Sequence, residues 1–260
     1  MAKYSHSKIM SFENCPYQYK LKYIDKIKPD IPARIEAFMG DMVHRSIELL
    51  LKKLQGSGWR LSKEEVVLYY DKIWEKEYTE DVLIVNPLMT ADKYRNIGRK
   101  FLRDYYDKYY PFDNLELIGI ETEDLLSLPD GNKWHVRIDL LAKDSEGNYY
   151  VIDHKTNSRM KKQWEADKDL QLAMYSIWVK ENHKDAKKIK LVWNMLAFND
   201  QVISERSKDE LDKLLEEIMI KIARIENSAY FPANVTKLCY YCEYQNICEY
   251  FQKAKQEGKI

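Results

Sequence analysis

Two consecutive strand-like segments, joined by a short turn, constrain the fold of this chain more than any other feature. Residues 134–142 and 148–156 are rich in β-branched and aromatic side chains, and the turn DSEG at 144–147 separates them. This pattern predicts two neighbouring strands at the centre of a sheet. Polar residues interrupt both segments where a buried strand is expected to be apolar. The pair is therefore also the first place to look for chemistry.

Helical patterns precede this pair of strands, and helix and strand patterns alternate after it. The predicted helices cover residues 7–25, 35–54, 61–80, 91–110, 167–182 and 207–228. Further strands are predicted at 116–121, 124–128, 189–196 and 201–204. With 260 residues, of which 45% are hydrophobic, the chain suits one domain with additional elements. We therefore predict an α/β fold in which helices flank a central mixed β-sheet.

Three charged residues on the two central strands are candidate catalytic groups. Side chains alternate between the two faces of a strand, so Asp139 is expected to point away from its apolar neighbours. These neighbours are Val136, Ile138 and Leu140. On the second strand, Asp153 and Lys155 share one face, and His154 points away from them. If the strands are neighbours, the two carboxylates converge and the Lys155 ammonium lies beside them.

Two carboxylates and one ammonium group at the end of a sheet are what phosphodiester hydrolysis requires. The carboxylates of Asp139 and Asp153 can hold a divalent cation, which polarises a phosphate and lowers the pKa of an attacking water. The Lys155 ammonium can orient that water or neutralise the developing negative charge. The alternative is an ordinary ion pair on a solvated strand face, because Asp-x-Lys is common by chance. That alternative explains Asp139 less well, since Asp139 interrupts an otherwise apolar strand.

Polar residues on two of the predicted helices are further candidates. His44, in the sequence GDMVH at 40–44, offers an imidazole that binds transition divalent ions alongside carboxylates. The alternative is a packed or surface histidine. Gln171 and Tyr175 are four residues apart and therefore share a helix face. They are candidates for contact with a nucleic-acid strand, and the alternative is a polar helix edge.

The four cysteines of the chain predict a metal centre. Cys239, Cys242 and Cys248 form a tight cluster late in the sequence, and Cys15 lies early in it. Four thiolates suit a tetrahedral zinc ion or an iron–sulfur cluster, and the spacing alone does not choose between them. Disulfides are the alternative, which the expected cytoplasmic setting disfavours.

These residues, taken in order along the chain, resemble the RecB-like branch of the PD-(D/E)XK nucleases. The resemblance is strongest to members that carry an iron–sulfur cluster, namely CRISPR-associated exonucleases, AddB-type nuclease domains and related phage proteins. It rests on the order and spacing of Cys15, Gly40-x3-His44, Asp139, Asp153-x-Lys155, Gln171-x3-Tyr175, Cys239, Cys242 and Cys248. The segments YSHSKIMSFENCP at 4–16 and FPAN at 231–234 also resemble the family.

The resemblance implies a fold and a role for each motif residue. It implies a restriction-endonuclease-like core in a single domain over 1–260, with a helical insertion over 55–111. The ligands of a Mg²⁺ or Mn²⁺ ion would be His44, Asp139, Asp153 and the carbonyl of His154, and Lys155 would be the catalytic lysine. The four cysteines would hold a 4Fe-4S cluster that joins the tail, residues 229–260, to Cys15. Position 153 is Asp where many relatives carry Glu, a difference that the motif permits.

The charge balance requires any nucleic-acid surface to be local. The chain has 42 basic and 42 acidic residues, so its formal net charge is zero. Arg159, Lys161 and Lys162 follow the second central strand and are the candidate phosphate-binding patch, with a solvated loop as the alternative. Since the sequence shows neither a signal-peptide pattern nor a long apolar run, we expect a cytoplasmic protein that binds no membrane.

The leading hypothesis from the sequence is a metal-dependent exonuclease that acts on single-stranded DNA ends. The sequence lacks a Gly-x4-Gly-Lys-Ser/Thr loop, so unwinding by ATP would require a helicase, recombination or CRISPR-adaptation partner. One alternative is a DNA-binding or complex-forming module, stabilised by a metal cluster, with a weak or vestigial nuclease site. Another is a zinc-stabilised interaction domain whose strand carboxylates are surface residues.

Overall fold

In residues 2–57 and 59–260, which the computed structural model describes, a six-stranded mixed sheet carries helices on both faces. The strands are β1 (Lys3–Tyr4), β2 (Glu116–Ser127), β3 (Lys133–Lys143), β4 (Tyr149–Lys155), β5 (Ile189–Met195) and β6 (Asp200–Ser204). The helices are α1 (His6–Asn14), α2 (Pro16–Tyr19), α3 (Ile35–Ser57), α4 (Lys63–Glu77), α5 (Ala91–Tyr109), α6 (Gln163–Asp167), α7 (Leu170–Asn182), α8 (Lys208–Glu226) and α9 (Glu249–Gln256). The predicted α/β fold with a central mixed sheet is confirmed.

Strand β3 organises the sheet because it pairs with three other strands. On one side, β2 pairs with it in antiparallel fashion along its whole length. On the other side, β1 pairs in parallel with its first residues, Lys133 and Trp134, and β4 pairs with its last ones, from Leu140 to Lys143. In the described residues, the stretch of β3 between these two partners has no strand beside it on that side. The candidate site lies along this gap.

The helices pack in two layers, one on each face of the sheet. One core contains apolar residues of α1, α7 and α8, and the other contains those of α3, α4 and α5. Helix α8 shows why such segments fold in this way, because its buried residues recur every three or four positions and form one apolar stripe. These residues are Leu211, Leu214, Ile218, Ile222 and Ile225. The two layers hold the central strands between them and fix their register.

Three predicted elements were wrong in their boundaries. Residues 7–25 do not form one helix, because Cys15 has an extended backbone (φ −158°) between α1 and α2. Pro16 explains the break, since a residue that precedes proline is disfavoured in the helical conformation. A π-helical turn over Lys20–Ile24 follows α2. Residues 116–121 and 124–128 are likewise parts of one strand, β2, which contains a register shift between Leu117 and Gly119.

Helices α4 and α5 lie within the range 55–111 and pack against α3 in the second core. That this range is an insertion into the family's fold stays a prediction. Among the described residues, no helix combines the length and the apolar composition that crossing a bilayer requires.

Candidate functional site

An open cleft follows the unpaired stretch of β3, between β1 and the end of β4. Its volume is about 570 Å³. Polar side chains from α1, α3, β3, β4 and α7 line it, and they include His6, His44, His135, Arg137, Asp139, Asp153, Lys155, Gln171 and Tyr175. Six of these residues were predicted site residues, so the structure brings the central motifs together.

A local irregularity in the β2–β3 pair turns two carboxylates into this region. The register places Glu121 opposite Asp139, because Ile120 and Thr122 pair with the residues on either side of it. Glu121 has a positive φ of 48°, which is uncommon for a residue with a side chain. The predicted face of Leu140 is wrong, since Leu140 packs in the second core. Val136 and Ile138 pack in the first one. The irregularity therefore breaks the alternation at Asp139 and re-aims its side chain.

Three side chains form a group that fits a divalent cation. His44 on α3, Glu121 and Asp139 each offer one ligand atom, and these atoms lie within 4.8 Å of one another. His44 Nδ1 lies 3.4 Å from Asp139 Oδ2. Carboxylate oxygens with one imidazole suit Mn²⁺ or Mg²⁺, so the residues present fit the ion that the sequence implies. Sequence reasoning missed Glu121, because it ended a strand at residue 121 and did not show how that strand pairs with β3.

The predicted ligand Asp153 is held by a different set of contacts. Its carboxylate lies 2.6 Å from the Lys155 ammonium, and its other oxygen accepts a hydrogen bond from the Gln171 amide at 3.4 Å. Gln171 also accepts from Lys155 at 3.5 Å and donates to the Tyr175 hydroxyl at 3.1 Å. Gln171 and Tyr175, predicted as DNA contacts, thus lie at the back of the cleft. There Gln171 holds Asp153 and Lys155 in place.

The charge of Lys155 follows from this network. Burial lowers the pKa of Lys155, but the adjacent Asp153 carboxylate, aided by Asp139 and Asp169, outweighs it, so that the pKa is raised overall. Lys155 is therefore an ammonium ion at neutral pH. It can neutralise charge or donate a hydrogen bond, and it cannot accept a proton.

The backbone and the side chain of His154 make contacts in different places. Its N–H donates to Asp139 Oδ2 at 2.8 Å. Its imidazole points to the opposite face, where the ring contacts Tyr105 and the side chain of Asn194. Burial lowers the pKa of the His154 ring to about 3, so the ring is neutral. The imidazole is thus directed away as predicted, and the ligand role of the His154 carbonyl stays a prediction.

Asp139 carries an electrostatic penalty in the absence of a cation. Its side chain is only 11% exposed. Burial, together with the Asp153 carboxylate, raises the pKa of Asp139 to about 7. The unfolded chain loses this proton near pH 4. The folded state therefore binds more protons between pH 4 and 7, and its stability falls as the pH rises through that window.

We expect Asp139→Asn to stabilise the metal-free protein at pH 8. Asparagine keeps an oxygen that accepts from the His154 N–H, and it removes the buried charge. Melting in EDTA should show the variant higher by roughly 3 °C or more at pH 8, with the difference vanishing near pH 4. Asp144→Asn is the control, and it should lower the melting temperature at pH 8. Hydrogen bonds from Asn148 lower the pKa of Asp144 to about 2, so its charged form stabilises the folded state. An Asp139→Asn protein that melts below the wild type at pH 8 contradicts the penalty.

The predicted basic patch does not line the cleft. Arg159 forms a two-pronged pair with Glu165, at 2.7 and 3.0 Å. Lys161 pairs with Asp169 at 3.2 Å and covers the ring of Trp193, and burial lowers its pKa. Lys162 is exposed in the same loop. Their role in DNA binding stays a prediction, and two of the three are already neutralised. The cleft is instead lined by His6, His135 and Arg137, which the sequence analysis did not single out.

The four cysteines lie around a single pocket of about 320 Å³, between α2 and the tail. All four are free thiols, so the disulfide alternative is not seen. Burial raises the pKa of Cys242 to about 11, and the neighbouring cysteines add to this effect. Thiols so placed do not ionise together without a compensating cation, and a bound metal centre supplies one. The residues therefore fit the cluster or metal ion that the sequence implies.

Comparisons with known proteins agree with the fold. A family model described as the PD-(D/E)XK nuclease superfamily matches residues 3–249. A crystal structure of a Eubacterium rectale protein, provisionally named an exonuclease, matches 96% of this chain and 86% of its own, with a TM-score of 0.53 and 14% identity. The crystal structure of SSO0001 matches 96% and 87% of the two chains, with a TM-score of 0.42 and 16% identity. No curated protein sequence matches the chain.

At 14% identity, the likeness to the Eubacterium rectale structure shows a shared fold. The family model matches residues 3–249, which is nearly the whole chain. The chain therefore belongs to the PD-(D/E)XK nuclease superfamily.

Proposed function

We propose that this protein is a metal-dependent exonuclease that hydrolyses single-stranded DNA from its ends. The observation that carries the proposal is the convergence of His44, Asp139, Asp153 and Lys155 in one open cleft. A vestigial site gives no reason for this set to be intact, nor for Gln171 to hold two of its members. This argues against a module that only binds DNA or assembles with partners.

Each side chain has a distinct task in this proposal. When bound, a divalent cation polarises the phosphate and makes a water more acidic. His44 and Asp139 bind the cation, with the His154 carbonyl as a further ligand. Lys155, an ammonium ion held by Asp153 and Gln171, neutralises the charge that develops on the phosphate. Asp153 fixes the position of Lys155, and its carboxylate would be a further ligand of the cation.

The cysteine pocket supports a 4Fe-4S cluster over zinc. A tetrahedral zinc site with Zn–S distances near 2.3 Å brings its sulfurs to about 3.8 Å from one another. Among the described residues, no three cysteine sulfurs lie within 4.8 Å of one another, although all four line the same pocket. Backbone N–H groups of Asn234 and Thr236 point at Cys15 and Cys239 Sγ, each at 3.4 Å. Such N–H···S contacts tune iron–sulfur clusters.

Incubation with end-labelled DNA tests the proposed activity. We expect Mg²⁺ or Mn²⁺ to support stepwise shortening of a single strand, and a chelator to abolish it. A blunt duplex and a circular single strand are the two controls, for strand and end preference. Shortened products only from the linear single strand support the proposal. Cutting of the circle would show that the activity is that of an endonuclease. A lack of any metal-dependent cutting overturns the proposed function.

A histidine ligand is expected to set the metal preference. Mg²⁺ prefers six oxygen ligands, whereas Mn²⁺ accepts an imidazole more readily. We therefore expect Mn²⁺ to support cleavage at least as well as Mg²⁺, and His44→Ala to lower the rate with either ion by about a hundred-fold. His135→Ala is a matched control, since His135 lines the same cleft but pairs with the exposed Glu123. Wild-type rates in His44→Ala remove this residue from the site.

A further inference from the structure

One basic residue in the cleft is paired with a candidate metal ligand. Arg137 is 60% exposed and lies two residues before Asp139 on the unpaired stretch of β3. Its guanidinium contacts Glu121 Oε2 through Nε and Nη2, each at 3.1 Å. Glu121 is only 13% exposed and belongs to the same group as His44 and Asp139. One carboxylate therefore faces two possible partners, a guanidinium and a cation.

We propose that the Glu121–Arg137 pair couples metal binding to DNA binding. In the metal-free protein Glu121 neutralises Arg137. A divalent cation held by His44 and Asp139 draws Glu121 into its ligand set, and Arg137 is then released to bind a DNA phosphate in the cleft. This inference rests on the proposed nuclease function, which it deepens by naming a third carboxylate ligand and a phosphate-binding residue.

The competition for Glu121 favours the cation. An ion pair whose arginine is largely exposed contributes little, because water screens it. A divalent cation carries twice the charge and lies beside buried groups, where screening is weaker. The cation also removes the repulsion that Glu121 and Asp139 exert on each other. Since Glu121 gains more from the cation than it loses from Arg137, the metal-bound state leaves the guanidinium without its carboxylate.

The position of Arg137 suits contact with DNA. Arg137 lies two positions before Asp139 on β3, and both side chains line the cleft, so the guanidinium lies close to the metal group. A guanidinium binds phosphate through two parallel hydrogen bonds, and Arg137 is exposed to the cleft where such a group is needed. The chain has zero net charge and offers DNA no general attraction. An Arg137 guanidinium that is freed only in the metal-loaded state therefore adds DNA affinity where hydrolysis takes place.

The first test measures metal binding without DNA. We expect Glu121→Gln to raise the Kd for Mn²⁺, measured by calorimetry, by about ten-fold. The matched control is Glu123→Gln, which alters the neighbouring cross-strand pair with His135 and lies outside the metal group. Its Kd should stay within two-fold of wild type. Melting curves establish that both variants are folded. Wild-type Mn²⁺ affinity in Glu121→Gln overturns the inference.

The second test measures DNA binding in a Lys155→Ala background, which prevents cleavage. We expect Mn²⁺ to raise affinity for a single-stranded oligonucleotide at least ten-fold. With Arg137→Gln the gain should fall to three-fold or less, because only the charge of the cation remains. Glu121→Gln should bind the oligonucleotide more tightly in EDTA, and adding Arg137→Gln should remove that increase. An unchanged Mn²⁺-dependent gain in Arg137→Gln contradicts the coupling.

Titration of His44→Ala separates failure of this inference from failure of the function. If His44→Ala loses Mn²⁺ binding while Glu121→Gln keeps it, the nuclease site stands and only the coupling is wrong. If His44→Ala binds Mn²⁺ as the wild type does, both the proposed site and the coupling fall.

Discussion

Asp153→Ala and Lys155→Ala are each expected to lower the rate of DNA hydrolysis at least a hundred-fold while the protein stays folded. Asp153 and Lys155 lie 2.6 Å apart at the back of the cleft, and Gln171 contacts both. Without the ammonium, nothing at this position neutralises the charge that develops on the phosphate, and removal of a single such group costs about 10²–10³ in rate. Asp153→Ala removes a proposed metal ligand and also releases Lys155, so its effect should be at least as large.

A second ion pair, between β3 and the segment that follows α7, provides the control. Lys143 on β3 and Asp185 are also 2.6 Å apart, and they lie outside the cleft. Lys143→Ala and Asp185→Ala should leave the rate within two-fold of the wild type, since exposed pairs contribute little to stability. Rates are measured on end-labelled single strands, with melting curves for all four variants. If Asp153→Ala or Lys155→Ala cuts DNA at the wild-type rate, the catalytic assignment is wrong.

The parts of the site that could be predicted are those that depend on local pattern. Asp139 stands out because it interrupts an apolar strand, and Asp153 and Lys155 because strand alternation puts them on one face. The helices were predictable for a similar reason. Helix α8 combines an apolar stripe with a cap, in the reciprocal bonds of Ser207 and Glu210 at its start.

The parts that were missed depend on contacts between distant segments. Glu121 enters the metal group only through the register of β2 against β3 and through its own positive φ. A single sequence encodes neither in a readable pattern. Strand β1 has two residues, too few to show alternation, yet it bounds the cleft. Arg159 looked available for phosphate, but its pairing with Glu165 depends on how the following loop folds back.

The cysteine pocket leads to the second large effect, which Cys15→Ala is expected to reveal. Cys15 and Asn234 are 219 positions apart, and the Asn234 N–H donates to Cys15 Sγ at 3.4 Å. One metal centre bound by Cys15 and the three later cysteines therefore closes a loop of most of the chain. Loop closure has an entropic cost that grows slowly with length. A centre that forms only in the folded state supplies that free energy, which then appears as folding stability.

The tail is also joined to the early helices by contacts that need no metal. The Tyr17 N–H donates to the Pro232 carbonyl at 3.1 Å, and the rings of Tyr17 and Tyr250 pack edge to face. The Tyr244 hydroxyl donates to the carbonyl of Ile27 at 3.0 Å. These contacts should keep the tail docked when the centre is lost. We therefore expect a weakened protein rather than an unfolded one.

Purified without oxygen, the wild type should be brown and absorb broadly near ~400 nm, as iron–sulfur proteins with four cysteine ligands do. Cys15→Ala should lose this colour and melt lower by about 5 °C or more. It should also lose nuclease activity, in proportion to the fraction that is unfolded at the assay temperature.

Tyr250→Leu is the control, because it removes the ring contact with Tyr17 and keeps all four thiols. That variant should melt lower than the wild type and stay brown. If the wild type is colourless and contains one zinc ion per chain, the metal centre is zinc and not an iron–sulfur cluster. Its stabilising role is then unaffected. Unchanged melting and unchanged metal content in Cys15→Ala contradict that role, because the centre then neither uses Cys15 nor closes the loop.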